Sequence, residues 1–430
     1  MTAGVSANAL IRSRVGRLQA PPIRLPSGVR DLLPRAAARR RALAERVMAV
    51  LEAWGYARIV TPVFECADVL ERGLGHDARA AAIRFVEPGT GEIVALRPDI
   101  TPQVARLVAT RMAEVQGPIR LCYEGAVTRL SGRLAGELGQ RELLQAGIEL
   151  IDAPEPDGDA EVLAVAAAAL AAAALPETRL DVGHVAPARY VLGAAPDGDA
   201  RARLAAALAR KDRVGVRAAS QVFPSAIVPL AEALAVLWGP ADATLARAAQ
   251  LAWPDDVRAG LDRLGAVLAA FAELSDQPAP AVTVDLGDLR GFDYYTGVRF
   301  AGYAGGAPDA VLRGGRYDEL IGRYGRAARA TGFAIDLEAV TEAQRTAGVA
   351  APKAALGVAV HGPGAAQLAR SLRARGLRAV TASATPTPSW LRSAGLDAAV
   401  VIDAGGHREL VVADDSRHDL ETAISSLLEE

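Results

Sequence analysis

One apolar segment that carries a carboxyl and an amide side chain constrains the fold of this chain more than any other stretch. Residues 142–151, ELLQAGIELI, have the composition of a buried β-strand and place Gln145 and Glu149 four residues apart, on one face of such a strand. Another apolar run, residues 117–130, precedes it across the polar loop SGRLAGELGQR. This order predicts an antiparallel pair with a long connection. Polar groups inside such a sheet destabilise it unless a network or a ligand satisfies them.

The remaining segments predict an α+β fold, a mainly antiparallel sheet flanked by helices. Residues 35–55 predict a helix that follows Pro34 and ends at Gly55. Residues 56–65 predict a strand, and an alanine-rich helix is expected at about residues 159–175. Further strands are expected around residues 178–185, 281–289, 293–304 and 309–320, and residues 332–340, GFAIDLEAV, predict a buried strand that runs into a helix.

Three regions are expected along the chain. Residues 1–20 carry arginines but no acidic residue and no apolar signal core, which predicts a disordered tail. A main domain is expected at residues 21–345, with a helical insertion at about residues 193–280 where helical runs alternate with Pro, Gly and Asp breaks. Residues 354–430 alternate strand-like and helical runs and end in a helix, which predicts a small α/β domain.

Composition indicates an ordinary water-soluble protein of the reducing cytoplasm. The 430 residues have a formal net charge of -2, and no apolar run reaches the ~18 residues that a membrane helix needs. Cys66 and Cys122 are the only cysteines, so no disulfide framework is indicated. The five histidines are scattered along the sequence. We therefore expect neither a metal site nor a cofactor.

Polar residues that suggest a ligand pocket occur in four segments. LRPDIT contributes Asp99 and Thr101, and the segment around Gln145 and Glu149 adds an amide and a carboxyl. The other two segments, RGFDYYTG and RGGRYDEL, supply Arg290, Asp293, Tyr294, Tyr295, Arg316 and Tyr317. Two interpretations remain open: a structural salt-bridge network, or a pocket for a small zwitterion whose ammonium meets carboxylates and whose carboxylate meets arginine.

The order of these motifs resembles the catalytic domain of the class II histidyl-tRNA synthetases over about residues 25–340. The series is SGVRDLLP, LRPDIT, TRL…LLQAGIEL, RGFDYY, GGRYDEL and GFAIDLE, and RGFDYY matches the family's histidine signature RGLDYY with one change. Asp99 departs from the glutamate usual in the synthetases, with loss of one methylene but not of the charge. The resemblance implies a histidine pocket lined by Asp99, Thr101, Gln145, Glu149, Tyr294, Tyr295 and Tyr317, with Arg129 and Arg290 near the ligand's carboxylate.

The ATP-binding half of this resemblance is incomplete. The second class II motif is typically Phe-Arg-x-Glu, but residues 128–131 read TRLS, and a triphosphate-binding arginine of the following loop is replaced by Gly139. The third motif typically ends Gly-Leu-Glu-Arg, but residues 336–339 read DLEA, so Ala339 replaces the γ-phosphate arginine and Asp336 places an anion where a small glycine is usual. Each lost charge-stabilising donor typically costs about 10²–10³ in rate. We therefore expect no histidine adenylation and no catalytic residue.

Among the paralogues of the synthetases, LRPDIT and DYYTG look more like the regulatory subunits of ATP phosphoribosyltransferase. That family keeps the histidine pocket, lacks aminoacylation, and gives activity and histidine feedback to a short catalytic subunit in the first step of histidine biosynthesis. The resemblance implies a non-catalytic hetero-oligomer subunit with L-histidine as its effector, self-association as a dimer and no membrane partner.

Two alternatives remain. The chain could be a divergent histidyl-tRNA synthetase or another histidine-activating ligase, if Arg133, Arg141 or Arg313 replaces the missing arginines. It could also be a histidine-binding scaffold without a transferase partner. The C-terminal region resembles a shortened anticodon-binding domain, but residues 351–430 have a net charge of -1 and no dense basic face. Because nucleic-acid binding depends on neutralising phosphates, tRNA binding is not expected.

Overall fold

The computed structural model describes residues 24–130, 140–275, 279–289, 294–350 and 356–413. The chain divides into two compact units, Met1–Ala350 and Ala351–Glu430. The tail predicted at residues 1–20, most of the loop between the paired strands, Arg290 and the predicted final helix lie outside the described residues. No helix within the described ranges is long and apolar enough to cross a membrane.

The first unit begins with a long helix, followed by four short strands and three helices that precede the first long strand pair. Pro34 occupies the first turn of the first helix, where its missing N–H leaves no hydrogen bond unmade. The elements as far as the first long strand pair are α1 (Pro34–Ala53), β1 (Ala57–Arg58), β2 (Phe64–Cys66), α2 (Ala67–Glu71), α3 (His76–Ala81), β3 (Arg84–Val86), β4 (Ile93–Leu96), α4 (Thr101–Arg111), β5 (Ile119–Thr128) and β6 (Glu142–Ile151).

The rest of the first unit contains helices together with six further strands of the main sheet. We call α7 to α11 the helical module. The elements are α5 (Asp157–Ala172), β7 (Arg179–His184), α6 (Val185–Gly193), α7 (Gly198–Ala209), α8 (Arg213–Ser220), α9 (Val228–Leu234), β8 (Trp238–Pro240), α10 (Ala241–Ala249), α11 (Asp255–Leu274), β9 (Ala281–Asp285), β10 (Val298–Tyr303), β11 (Leu312–Arg316), a 3-10 helix (Ile321–Tyr324), β12 (Ala330–Asp336) and α12 (Leu337–Thr346).

The main sheet has nine strands in the order β1-β5-β6-β12-β11-β10-β7-β9-β8, and β2, β4 and β3 form a separate small antiparallel sheet in that order. Neighbouring strands of the main sheet are antiparallel except for the parallel pairs β1–β5 and β7–β9. The predicted antiparallel pair is confirmed as β5 and β6, with Tyr123 opposite Gly147 and Leu121 opposite Glu149. The predicted strand-to-helix transition at GFAIDLEAV is also confirmed, since β12 ends at Asp336 and α12 begins at Leu337.

Two local predictions need correction. The continuous strand predicted at residues 56–65 is wrong: only β1 and β2 form, separated by a segment that contains Pro62. Proline has no backbone N–H to donate to a strand ladder, so it disfavours a continuous strand there. The region expected to be a helical insertion also contains the short strand β8, which pairs with β9 at the edge of the main sheet.

The two faces of β6 pack against different helices, and this division creates the candidate site. Ile148 and Leu150 lie in the large core that also contains buried residues of α1 and α5. On the other face Ile151 packs in a smaller core with Val104 and Val108 of α4. Because strand side chains alternate between faces, Gln145 and Glu149 fall on the α4 side.

The second unit is a small α/β domain, as the sequence pattern predicts. Its elements are β13 (Gly357–His361), α13 (Ala365–Ala374), β14 (Arg378–Thr381), α14 (Pro388–Ala394), β15 (Ala398–Ile402) and β16 (Arg408–Val412). The sheet order is β14-β13-β15-β16, with β13 parallel to both neighbours and β16 antiparallel to β15. Val358, Val360 and Val400 form its core with Leu372 of α13.

Candidate functional site

The predicted pocket residues within the described ranges gather on the α4 side of the main sheet. Gln145 and Glu149 come from β6, and Thr101 is the first residue of α4. The Tyr294 ring lies 5.1 Å from the Tyr317 ring and 5.3 Å from the Tyr295 ring, measured between centroids. Loops that meet at the ends of β4, β10 and β11 therefore bring distant motifs to the strand that carries the carboxyl group.

Glu149 is the most buried acid of this group, with only 2% of its surface exposed. Its Oε1 accepts a hydrogen bond from Tyr123 Oη at 3.3 Å, whereas its Oε2 has no partner among the described residues. Burial raises the pKa of Glu149 well above its usual value, and the Thr101 hydroxyl offsets only part of that rise. A buried carboxyl with one unused oxygen is suited to accept an N–H or a positive charge from a ligand.

Tyr123 is a site residue that is absent from the set predicted from sequence. Its hydroxyl lies 3.3 Å from Glu149 Oε1 and 3.5 Å from Thr101 Oγ1, so it joins β6 to the start of α4. A Cβ at Gly147 would lie 2.6 Å from the Tyr123 hydroxyl, so the glycine leaves space for the ring. The feature that identifies Tyr123 as a site residue is the strand register, because Tyr123 pairs with Gly147, midway between Gln145 and Glu149 on β6.

Gly332 of β12 is another residue missing from the predicted set. It pairs with Glu149, and a Cβ added to it would overlap Glu149 Oε2 and lie 2.9 Å from Tyr317 Oη. Both oxygen atoms therefore border the space in front of the glycine. Tyr317 Oη, like Glu149 Oε2, has no hydrogen-bond partner in the described part of the chain. Because Gly332 has no side chain, Glu149 Oε2 and Tyr317 Oη remain accessible to each other or to a ligand.

Four predicted residues share the property of an unused polar atom. Within the ranges that the structure describes, Gln145 Oε1, Glu149 Oε2, Tyr294 Oη and Tyr317 Oη are buried without a hydrogen bond. Native proteins rarely leave such groups unsatisfied, and each unsatisfied group costs about 1–3 kcal/mol. The cluster therefore fits the ligand-pocket interpretation better than the structural-network one.

A small cavity adjoins this cluster. It is bordered by Thr101, Glu149 and Tyr317 and is otherwise lined by apolar side chains of α4, β6, β12 and the 3-10 helix. Its volume of about 10 Å³ is close to the minimum that one water molecule needs. The cavity can hold a water beside Glu149, but it is too small to be the binding site of an amino acid.

Arg316 follows the structural-network interpretation instead. Its guanidinium is 1% exposed and contacts Asp159 at 2.9 Å, Asp318 at 3.1 Å and Glu155 at 3.2 Å. Three carboxylates already compensate this arginine, and Asp159 belongs to α5, on the other face of the sheet from α4. Arg316 and Tyr317 are neighbours in sequence, but only the tyrosine belongs to the pocket.

Asp99 and Arg129 lie at one end of the pocket. Asp99 Oδ1 accepts hydrogen bonds from the backbone N–H groups of Ile100 at 2.7 Å and Thr101 at 3.4 Å, next to the start of α4. Its charge nevertheless acts on the pocket, since after burial and the Thr101 hydroxyl it is the next largest influence on the pKa of Glu149 and raises it. Arg129 Nε donates to the Pro98 carbonyl at 2.9 Å. The roles of Asp99 and Arg129 toward a ligand's ammonium and carboxylate remain predictions.

The third-motif region shows what replaces the phosphate-binding group. Asp336 Oδ1 accepts from the backbone N–H groups of Glu338 and Ala339, both at 3.0 Å, and so caps α12. Glu338 is buried and is paired with Arg30 at 3.0 Å and Arg40 at 2.7 Å. Burial raises the pKa of Asp336, and the helix amide of Ala339 lowers it. Asp336 is therefore a helix cap, which corrects the view of it as simply a repulsive anion.

The arginines that could replace the missing one differ in their surroundings. Arg313 pairs with Asp309 at 2.7 Å. Arg141 Nε is buried and has no partner in the part of the chain that the structure describes. Arg133 lies outside that part, as does the predicted pocket residue Arg290. The described residues also contain no cluster of three or more His, Cys, Asp or Glu side chains that could hold a metal ion.

Comparisons with known proteins agree with this architecture. The family described as "Histidyl-tRNA synthetase" matches residues 28–340. A protein of Anaeromyxobacter sp. strain Fw109-5 described as "ATP phosphoribosyltransferase regulatory subunit" is 45% identical over 326 residues, which cover 74% of this chain and 92% of the relative. A protein of Pseudomonas aeruginosa strain LESB58 with the same description is 35% identical over 398 residues, covering 91% of this chain and 95% of the relative.

A solved structure gives the same result for the fold. The crystal structure of an "ATP phosphoribosyltransferase regulatory subunit/histidyl-tRNA synthetase" from Bacillus halodurans superposes with a TM-score of 0.76 at 26% identity, covering 89% of this chain and 99% of that one. The predicted fold, an antiparallel sheet of the class II synthetase type flanked by helices, is therefore confirmed. The chain belongs to the family of ATP phosphoribosyltransferase regulatory subunits, and its residues 28–340 form a domain of the histidyl-tRNA synthetase family.

Proposed function

We propose that this chain is the non-catalytic regulatory subunit of an ATP phosphoribosyltransferase. It activates a short catalytic subunit in the first step of L-histidine biosynthesis and binds L-histidine to bring about feedback inhibition. The observation that carries the proposal is the cluster of buried polar side chains around Glu149, with unused polar atoms on Gln145, Tyr294 and Tyr317. The names of the relatives support the same assignment.

Each part of L-histidine has a complementary group in the proposed site. Glu149 Oε2 accepts an imidazole N–H, and the unused hydroxyls of Tyr294 and Tyr317 are available to the same ring. The ammonium lies toward Asp99, and the carboxylate lies toward Arg129, with Arg290 as a further predicted contact. Charge-assisted hydrogen bonds of this kind are about twice as strong as neutral ones, so they favour a zwitterion with a polar ring over an apolar amino acid.

The same chain is proposed to lack histidine adenylation. The γ-phosphate arginine of the third motif is replaced by Ala339, and the neighbouring Glu338 is already paired with Arg30 and Arg40. Without the γ-phosphate arginine, the transition-state charge loses one of its stabilising groups. The chain therefore acts through its partner's conformational equilibrium and not through chemistry of its own.

Self-association as a dimer is also proposed, through an exposed apolar surface at the small sheet. Val60 is 86% exposed, and the rings of Phe64 and Phe85 meet edge to face at 5.9 Å between centroids on that surface. Val63, just before β2, is exposed as well, and so are Val86 and Ile93, which pair between β3 and β4 on the other face of this sheet. Exposed aromatic and aliphatic side chains grouped on one small element are typical of a protein–protein contact. The complex is proposed to act in the cytoplasm, where histidine is made.

The decisive experiment measures phosphoribosyl-ATP formation by a short catalytic subunit from the same source, with this chain titrated in, with and without L-histidine. A rate that rises with this chain and falls again with histidine is the expected result. A catalytic subunit that is equally active alone, and does not co-elute with this chain, would contradict the proposal. Pyrophosphate exchange with histidine and ATP, measured on this chain alone, distinguishes the ligase alternative.

A further inference from the structure

The segment that carries Tyr294 and Tyr295 is bound at two points by one helix. The Val185 N–H, at the first residue of α6, donates to the Gly297 carbonyl at 3.1 Å. One turn further along the same helix, the Arg189 guanidinium donates to the Tyr295 carbonyl. Helix α6 therefore holds the backbone of the pocket tyrosines, although it contributes none of the pocket side chains predicted from sequence.

The opposite side of this segment is fixed to β11. The Thr296 N–H donates to the Arg316 carbonyl at 2.6 Å, and the Asp318 N–H donates to Thr296 Oγ1 at 3.0 Å. Arg316 is itself held by the buried pair with Asp159. The peptide group between Tyr295 and Thr296 is therefore held from both sides, with its N–H bound to β11 and its carbonyl bound to Arg189 of α6. Arg189 is the side chain that links the Tyr295 carbonyl to α6.

Helix α6 is also part of the packing of the helical module. Its buried residues Ala188, Val191 and Leu192 belong to the same core as buried residues of α7, α9 and α11, and α6 packs directly against these three helices. The start of α6 is fixed by His184, whose Nδ1 accepts from the Ala186 N–H at 3.2 Å. Gly260 of α11 leaves room for that imidazole, since a Cβ there would lie 2.7 Å from His184 Cε1. Motion of α6 thus changes contacts within the module.

We propose that Arg189 is a positioning residue that couples occupancy of the pocket at Tyr294 and Tyr295 to the packing of the helical module through α6. This inference rests on the proposed function, because it takes L-histidine as the pocket's ligand. A ligand that contacts the tyrosines favours one position of the Tyr295 carbonyl, Arg189 follows that carbonyl, and α6 carries the change to α7 and α9. The ligand can act only through its different affinity for the two arrangements.

Hydrogen–deuterium exchange with mass spectrometry tests this coupling on the full-length chain without any partner. In the wild type, saturating L-histidine is expected to slow exchange in peptides from α7 and α9 by about fivefold, the low end of common coupling strengths. Arg189→Ala is expected to keep the histidine Kd within about threefold in calorimetry, while that slowing in α7 and α9 disappears. Arg258→Ala, which removes an exposed Arg258–Asp255 pair in the same module, is the matched control and should behave as the wild type.

Three outcomes are decisive. Wild-type binding of histidine without slower exchange in α7 and α9, or full slowing retained in Arg189→Ala, would overturn the coupling while leaving the proposed function intact. An absence of histidine binding by the wild type would overturn both. Arg189→Lys keeps a positive charge and an N–H donor, so it is expected to restore part of the slowing. If Arg189→Ala does not fold, Arg189→Lys is measured in its place. A lack of slower exchange in the well-folded wild type would refute the positioning role of Arg189 in either case.

Discussion

Tyr123 and Glu149 lie on adjacent strands and share a hydrogen bond of 3.3 Å across the space left by Gly147. The bond uses one carboxylate oxygen of Glu149 and leaves the other unused. Tyr123 therefore sets the orientation of the carboxyl group, and the free oxygen defines the direction from which a ligand must approach. This relationship makes Glu149 the first residue to test.

Glu149→Ala is expected to weaken L-histidine binding by about 1.5–3 kcal/mol, the range of a hydrogen bond to a charged group. Isothermal titration calorimetry measures this directly. Glu142→Ala is the matched control, because Glu142 lies on the same strand β6 but is exposed to solvent. An unchanged Kd in Glu149→Ala would show that the ligand does not use this carboxyl group, and the pocket assignment would fail.

Gly332→Ala is expected to abolish detectable histidine binding and to destabilise the fold, because its Cβ would overlap Glu149 Oε2 and the Ile148 carbonyl. Backbone cannot move aside as a side chain can, so the substitution forces a shift of β12 or β6. A decrease in melting temperature together with loss of the calorimetric signal is the expected result.

Gly265→Ala is expected to have the opposite effect on stability. Gly265 lies within α11, and a Cβ there meets nothing within 4 Å. Alanine is favoured over glycine inside a helix by about 1 kcal/mol, so this variant should melt at a higher temperature and bind histidine normally. Equal melting temperatures for the two variants would show that the close contact at Gly332 does not matter.

The positions of Gln145 and Glu149 could be predicted from sequence because strand periodicity is local. Two apolar runs and the polar loop between them are enough to predict the β5–β6 pair, and the spacing of four residues is enough to put both side chains on one face. Tyr123 and Gly332 could not be assigned in this way. Their contribution depends on which residue each pairs with across the sheet, and register is set by tertiary packing and long-range closure.

Asp336 and Arg316 illustrate another limit of sequence reasoning. An Asp directly before a helix is a common N-cap, and Asp336 caps α12 in this way. Comparison with a phosphate-binding motif emphasises the charge of Asp336 instead of its capping role. Arg316 lies next to Tyr317 in sequence, yet their side chains serve different parts of the sheet. Adjacent strand residues face opposite sides, so a motif that is continuous in sequence can be divided in space.

Burial of His184 predicts a specific dependence of stability on pH. Burial, with smaller contributions from Arg263 and Arg189, lowers the pKa of His184 to about 4 from its usual 6.5. Between these values the unfolded chain binds the proton and the folded chain does not, so stability is lost as the pH falls from about 6.5 to about 4. The full difference in unfolding free energy is about 3 kcal/mol at 1.36 kcal/mol for each pH unit.

His184→Asn keeps a capping acceptor for the Ala186 N–H but does not titrate. Its stability should therefore decrease less than that of the wild type over this pH range, as measured by urea unfolding at pH 7 and pH 4.5. His407→Asn, at an exposed position, is the control and should follow the wild type. Parallel pH profiles for His184→Asn and the wild type would rule out His184 as a source of acid sensitivity.

Ala339→Arg is not expected to restore histidine adenylation. The substitution returns one cation to the third motif, but Gly139 still lacks the arginine and Ser131 the glutamate of the typical second motif. Each missing donor costs about 10²–10³ in rate, so one restored group leaves most of the loss in place. The added guanidinium also lies next in sequence to Glu338, which already binds Arg30 and Arg40.

Pyrophosphate exchange measures adenylation in this variant. Thr346→Arg, at an exposed neutral position of α12, provides a matched added cation. Both variants should remain at the background rate while still binding L-histidine. Exchange that depends on histidine in Ala339→Arg, but not in Thr346→Arg, would mean that one arginine separates this chain from an active ligase. In that case Arg141, whose Nε has no partner among the described residues, would be the next candidate for a phosphate contact.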